Sequence, residues 1–256
     1  MDNLLLHPKT RASLANVATA QHQAIALVGK PGSNKYQIAR QLAKNLLQID
    51  SLEHYPYYLE ILPDDIKVSV EQIRDIHQFI KLRVPTESKS GINRVLLIYK
   101  AHKMTSSAQN ALLKTLEEPP SGTTIILTTP SRNQLLKTVI SRSQTIDILP
   151  VDKASATAFY ATHATIDNLD SLYAMSQGQT GLLDSLVTNQ DHPLIDKITT
   201  AKSLFTANKA ERLIMVDELS KDREKAQSLL DAMLRITHAS IVINSRKNDK
   251  SALSKW

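Results

Sequence analysis

The sequence predicts an α/β fold of five parallel strands with helical crossovers, followed by an all-helical region. Three observations carry this. Short apolar runs recur at 24–28, 57–61, 95–98, 124–128 and 145–148, with amphipathic stretches between them. Uninterrupted apolar runs suit strands buried on both faces of a parallel sheet, and the intervening helices supply the crossovers. The first strand runs into a Gly-containing turn, a lysine and a helix, which is the layout of a phosphate-binding loop. From Pro150 onward the pattern is helical only.

Taken in order, residues 9–20 place Leu14, Val17 and Ala18 on one helical face. A strand at 24–28 and a helix at 37–48 flank the turn. The next helix opens at Ser69, with Gln72 at capping-box spacing, and its apolar face is Val70, Ile73, Ile76/His77 and Ile80. Arg74, Lys81 and Arg83 lie off that face. They read most simply as a solvated surface, with phosphate contact as the sharper alternative. After the strand Val95-Leu96-Leu97-Ile98, Thr105 or Ser106 caps a helix, with Gln109 at capping-box spacing from Ser106. Ala108, Leu112 and Thr115/Leu116 recur at helical period, and Pro119-Pro120 stops that helix. A short helix through Leu136 precedes the last strand. Helices are expected at 152–163, 167–176 and 181–187, then at 194–205, 210–219 and 223–244, with a polar tail after that.

Composition narrows the function classes. The chain has 256 residues, 42% apolar and 22% charged, with a net charge of +6. That charge permits a polyanion partner without demanding one. No apolar run approaches the roughly 18–20 residues of a membrane span, and MDNLLLHPKTR lacks a signal-peptide layout. A cytoplasmic address fits. Zero cysteines exclude disulfides, thiol nucleophiles and Cys-ligated zinc. The eight histidines show no metal-ligand spacing, and three Phe, seven Tyr and one Trp make a poor base-stacking platform.

The phosphate loop departs from the pattern GxxxxGK[ST]. Gly29 and Lys35 stand in place and Gly32 is an extra glycine, but Asn34 replaces the glycine before the lysine and Tyr36 the small hydroxyl. A non-Gly residue strains or narrows a loop that needs unusual dihedrals. A phenol cannot replace the hydroxyl that ligates Mg²⁺ beside a phosphate. ATPases of this architecture end the strand at 95–98 in an acidic pair, one carboxylate organising Mg²⁺ and the other polarising water. Tyr99-Lys100 stands there instead. Hydrolysis at this chain's own site is not expected.

Several stretches together resemble the AAA+ clamp-loader subunits, in particular their bacterial delta-prime branch. They are 22–29 leading into the loop, His54-Tyr55-Pro56, Val70-Glu71-Gln72-Ile73-Arg74 and Arg94-Val95-Leu96-Leu97-Ile98. The most specific are AQNALLKTLEEPP at 108–120 and LLKTVISRSQ at 135–144. The resemblance covers about residues 7–186. Related sequences often read Ser-Arg-Cys where this one has Ser141-Arg142-Ser143. It implies an AAA+ domain at 1–149, a helical lid at 150–190, a helical collar-like domain at 191–248 and a tail at 249–256. The collar is expected to be short, either reduced or truncated.

The resemblance also implies roles. Arg142 is the arginine that reaches into a neighbouring motor's ATP site, where a guanidinium supplied in trans neutralises γ-phosphate charge. Gly29, Gly32 and Lys35 form a relic phosphate loop. Glu117, Glu118 and Ser141 are interface or capping residues, although the two glutamates could be catalytic acids on spacing alone. Arg74 and Thr105 line the chamber for primer–template DNA. Gly181 stands where motor subunits usually carry an arginine, and the four-Cys zinc module common in the family is missing. The implied protein is a non-hydrolysing stator of a DNA polymerase III holoenzyme. It requires no cofactor, holds no zinc or other metal, and works on ATP bound by the partner. Its partners are tau/gamma-like motor and delta-like subunits, with the sliding clamp reached indirectly. The alternatives are an AAA+ ATPase with a divergent metal site, and an AAA+ scaffold of another complex.

Overall fold

The computed structural model describes residues 4–20, 22–63, 68, 70–82, 84, 91–161, 169–188 and 193–246. The chain divides into two compact units, Met1–Leu149 and Pro150–Trp256.

The first unit is a three-layer sandwich. Its strands are β1 (Ala24–Val28), β2 (Tyr58–Ile61), β3 (Arg94–Ile98), β4 (Thr123–Thr129) and β5 (Gln144–Asp147). All pair in parallel, in the order β2-β3-β4-β1-β5. Every residue of β1, β3 and β4 is buried, which is why these strands read as continuous apolar runs. Successive side chains point to opposite faces. Ile25, Leu27, Val95 and Leu97 meet α1 (Pro8–Thr19) and α2 (Lys35–Leu47) through Leu14, Ile38 and Leu42. Ala24, Ala26, Leu96 and Ile98 meet α3 (Val70–Lys81) and α4 (Ser106–Glu117) through Ile73, Ile76, Ala108 and Leu112. In register, Val28 lies opposite Thr129 and Ile98 opposite Leu127. The loop after β1 and the Tyr99-Lys100 pair after β3 therefore flank the end of β4. In open α/β sheets, ligands bind at this carboxyl edge.

Two local expectations are corrected, and a third, the Ser69–Gln72 capping box, falls partly outside the described residues. Thr105 alone caps α4, accepting from the Ala108 N–H at 3.1 Å. With the cap one residue earlier, Gln109 falls outside capping-box spacing and is buried instead. Its amide donates to the Met104 carbonyl at 3.3 Å and accepts from the Leu136 N–H at 2.8 Å. Gln72 donates to the Leu62 carbonyl at 2.9 Å, and Ser69 lies outside the described residues. The helix expected through Leu136 is a 3-10 turn at Arg132–Gln134, followed by two extended residues and α5 (Lys137–Ile140).

The second unit holds α6 (Lys153–Ala161), α7 (Leu169–Ser176), α8 (Thr180–Thr188), α9 (Pro193–Thr206), α10 (Lys209–Ser220) and α11 (Arg223–Arg246). The lid and collar-like stretches both fall within it, and the tail at 249–256 lies outside the described residues. Leu182, Ile198, Ala201, Leu229 and Ala232 form its core. Arg235 on α11 is buried; it pairs with Asp231 at 2.8 Å and donates to the Ser176 carbonyl at the end of α7 at 3.4 Å. Just beyond, Gly178 takes φ +72 and its carbonyl accepts from the Val151 N–H at 3.0 Å. A Cβ there would lie 2.4 Å from the Val151 oxygen. Gly178→Ala meets both the left-handed penalty and this backbone clash. It should cost more than about 1 kcal/mol in urea unfolding of the second unit; an unchanged midpoint would contradict the close approach.

Candidate functional site

The loop from Gly29 to Lys35 is closed over itself. A Cβ on Gly29 would lie 2.8 Å from the Ser33 hydroxyl and 2.9 Å from the Ile148 Cβ, so packing demands glycine. Gly32 takes φ +85 and Asn34 φ +63. Asn is among the non-glycine residues that best tolerate the left-handed region. The loop therefore keeps its turn despite the loss of glycine before the lysine. The Lys35 ammonium folds back into this turn. It donates to the Gly29 carbonyl, to the Lys30 carbonyl at 2.9 Å and to the Ser33 hydroxyl at 3.1 Å.

Burial, and then the charge of Lys100, lower the Lys35 pKa from 10.5 to about 8. The charged form is thus penalised in the fold but not in the unfolded chain. Below pH 8 the penalty is fully present. Between about 8 and 10.5 the unfolded chain binds more protons than the folded one, so stability rises with pH. Lys35→Met should remove that rise in urea titrations from pH 7 to 10.5. The same slope in wild type and variant would contradict a penalised ammonium at Lys35.

The two residues that replace magnesium-binding chemistry touch each other. The Tyr36 and Tyr99 rings lie 4.9 Å apart between centroids, tilted by 56°. Arg40 donates to the Tyr36 oxygen at 3.1 Å and pairs with Glu60 at 3.0 Å, and the Tyr58 hydroxyl donates to the same Glu60 oxygen at 2.9 Å. Burial raises the pKa of Tyr36, with the hydrogen bond to Glu60 adding to it; burial, then Tyr36, raises that of Tyr99. Both phenols therefore stay neutral at pH 7. Lys100 takes φ +51, and its ammonium lies 5.2 Å from the Tyr99 ring centroid. Phenols, guanidinium and ammonium do not fit Mg²⁺, which takes oxygen anions and water in an octahedron. Glu60, the carboxylate at hand, gives one oxygen to Arg40 and Tyr58, while its other oxygen, Oε1, is buried without a hydrogen-bond partner; one such oxygen does not make a Mg²⁺ site. Among the described residues no group of three His, Cys, Asp or Glu could hold a metal ion.

Arg142 stands apart from this cluster, on the turn after α5. It is exposed: its Nη1 donates to the Thr138 carbonyl at 3.0 Å, and its Nη2 pairs with Glu117 at 2.7 Å. Ser141 is exposed and bonds the same Thr138 carbonyl at 3.2 Å. Glu117 is the last residue of α4; Glu118 is exposed and its N–H bonds Lys114 at 3.1 Å. The structure thus joins Arg142 to Glu117, and separately Lys35 to Gly29. Thr105 spends its acceptor capacity on the helix cap. Arg74 lies on α3, with its side chain outside the described residues. Sequence reasoning missed the Arg40–Glu60–Tyr58 network, and it treated Arg94 only as part of a motif. The signal for Arg94 was a cation heading a wholly apolar strand.

Residues 33–152 match the family model described as DNA polymerase III, delta subunit. The DNA polymerase III subunit delta′ of Haemophilus influenzae is 31% identical over 138 residues, which are 54% of this chain and 41% of that protein. That segment is thus similar to clamp-loader subunits of the DNA polymerase III delta-prime kind. The delta′ subunit of Pseudomonas aeruginosa is 30% identical to the delta-prime-like chain over 182 residues, 62% of this chain and 54% of that one. The chain thus spans about half the length of the curated relatives it matches. A DNA polymerase III gamma-subunit-related protein of Thermotoga maritima shares the fold, with a TM-score of 0.53 and 17% identity over 96% of this chain and 74% of that one. No helix among the described residues of the delta-prime-like chain is long and apolar enough to cross a membrane.

Proposed function

We propose that this chain is the non-hydrolysing stator of a clamp loader, donating Arg142 to the ATP site of a neighbouring motor subunit. One observation carries the reading: Tyr36 packs on Tyr99 where hydrolysis needs a metal ligand and a carboxylate. A chain without its own metal and carboxylate can still contribute an arginine to a neighbour's nucleotide. An exposed arginine on the turn after α5, with donors to spare, is suited to that. The neighbours are tau/gamma-like and delta-like subunits, working in the cytoplasm. Primer–template DNA lies in the assembled chamber by phosphate contacts near Arg74 and Thr105, and the sliding clamp is engaged through the partners. No cofactor, zinc or other metal belongs to this subunit.

The test is steady-state ATP hydrolysis by the motor subunit of the same organism, with clamp and primed DNA, without and with this chain. The isolated chain should be silent, and the mixture stimulated. Magnesium-dependent turnover by the isolated chain, lost in Lys35→Ala, would overturn the proposal in favour of a divergent ATPase. A mixture with no stimulation would favour a scaffold of another assembly.

A further inference from the structure

We infer that Glu117 parks Arg142, holding the guanidinium within its own subunit and releasing it only to a neighbour that presents a polyphosphate. This deepens the stator reading and rests on it. The geometry is that of a holding site built from two elements. Glu117 closes α4, and the Thr138 carbonyl comes from α5. Nη2 meets the carboxylate at 2.7 Å and Nη1 meets the carbonyl at 3.0 Å, so both arms of the guanidinium are engaged.

The placement of Glu117 is costly unless a cation answers it. A carboxylate at a helix C-terminus faces the negative end of the helix dipole. The chain then turns away at Pro119-Pro120. Arg142 supplies the compensating charge.

The same carboxylate opposes the function proposed for the arginine. A phosphate bound to the guanidinium's free edge would sit close to Glu117, and like charges repel. Arg142 must leave Glu117 to meet a γ-phosphate. The side chains of the pair are 36% and 48% exposed, so their attraction is weak and a multiply charged anion displaces it. Water and monovalent salt compete with the carboxylate only in part, leaving the pair the more populated state. Arg142 is therefore retained beside an empty motor site and handed over to a loaded one. Glu117 acts as a positioning residue through Arg142, without touching nucleotide.

The experiment assembles the full chain with the motor subunit of the same organism. It uses wild type, Glu117→Gln, Glu117→Asp, Arg142→Ala and the Glu117→Gln/Arg142→Ala double variant. Two quantities are read: kcat at saturating complex, and the apparent Kd of the motor loaded with a slowly hydrolysed ATP analogue or left empty. Parking predicts that Glu117→Gln tightens the analogue-loaded complex by about two- to five-fold, the range of a surface ion pair. It also predicts an unchanged kcat, since the handed-over state is the same. Glu117→Asp keeps the charge and should return the affinity towards wild type. In the Arg142→Ala background, Glu117→Gln should do nothing. Glu117→Gln with unchanged affinity, or with a lowered kcat, overturns parking while leaving the finger reading intact. Arg142→Ala with full kcat overturns the finger reading itself.

Discussion

Arg142→Ala is expected to leave the complex assembled and to lower kcat at the adjoining motor site by about 10²-fold or more. The lower bound is cautious beside the roughly 10³–10⁵ that such arginines contribute in GTPases. The loss should fall on kcat, with little change in the KM for ATP, because γ-phosphate charge develops mainly in the transition state. Arg142→Lys should recover little. Lysine offers a point charge in place of a planar fork, and a phosphoryl group in flight is matched by the fork. Local structure should survive, since Arg142 is exposed and ties down only Glu117 and the Thr138 carbonyl. Single-turnover hydrolysis by the motor with each variant measures the effect. A variant complex that assembles and turns over at the wild-type rate would remove this chain from the chemistry altogether.

Arg94→Ala is expected to be the most damaging single change in the first unit, at about 3–5 kcal/mol. Arg94 opens β3 and is 1% exposed. Its two terminal nitrogens donate to the carbonyls of Ile80 and Leu82, and the guanidinium lies 5.2 Å from the Phe79 ring centroid. No carboxylate among the described residues pairs with it. Burial lowers its pKa, yet an arginine stays charged in a protein. The charge is held by the negative end of α3 and by the ring face. Truncation leaves two carbonyls without donors and a cavity the size of the side chain. Arg94→Met fills much of that volume but not the hydrogen bonds, so it should fall between. Urea unfolding gives the magnitude, and hydrogen exchange should show the last turn of α3 opening first. A loss below about 1 kcal/mol in Arg94→Ala would mean that the two carbonyls find other donors.

The strands were legible because burial on both faces writes itself as an unbroken apolar run. Val95 to Ile98 could be read without knowing any neighbour. The long helices were legible for the same kind of reason, through one-sided periodicity. Short elements were not. Four residues of α5 carry no period, and the 3-10 turn before them blurs into it. The cap of α4 was left open between Thr105 and Ser106 because the two are equally good acceptors, and only backbone geometry chooses between them. That choice turned Gln109 from a cap partner into a buried brace. The candidate site was legible as chemistry and illegible as contact. Asn34, Tyr36, Tyr99 and Lys100 announce what is missing from a nucleotide site. Nothing in the order of residues says that Tyr36 lies on Tyr99, or that Arg142 lies on Glu117, because each pair is joined only by the packing of separate elements.

The contact between Tyr36 and Tyr99 has a consequence for redesign. Each ring packs against the other, so neither can be replaced alone without loss. Tyr36→Ser alone would open a void beside Tyr99 without restoring a metal ligand. Tyr99→Asp alone would set an unpaired carboxylate against the Tyr36 ring, on the same side as the engaged Glu60. Either back-step loses packing before any catalysis returns, and Lys100 would still oppose a cation. The two rings are thus coupled: a magnesium site could not be built here one substitution at a time, because each change first loses the packing that the other ring supplies.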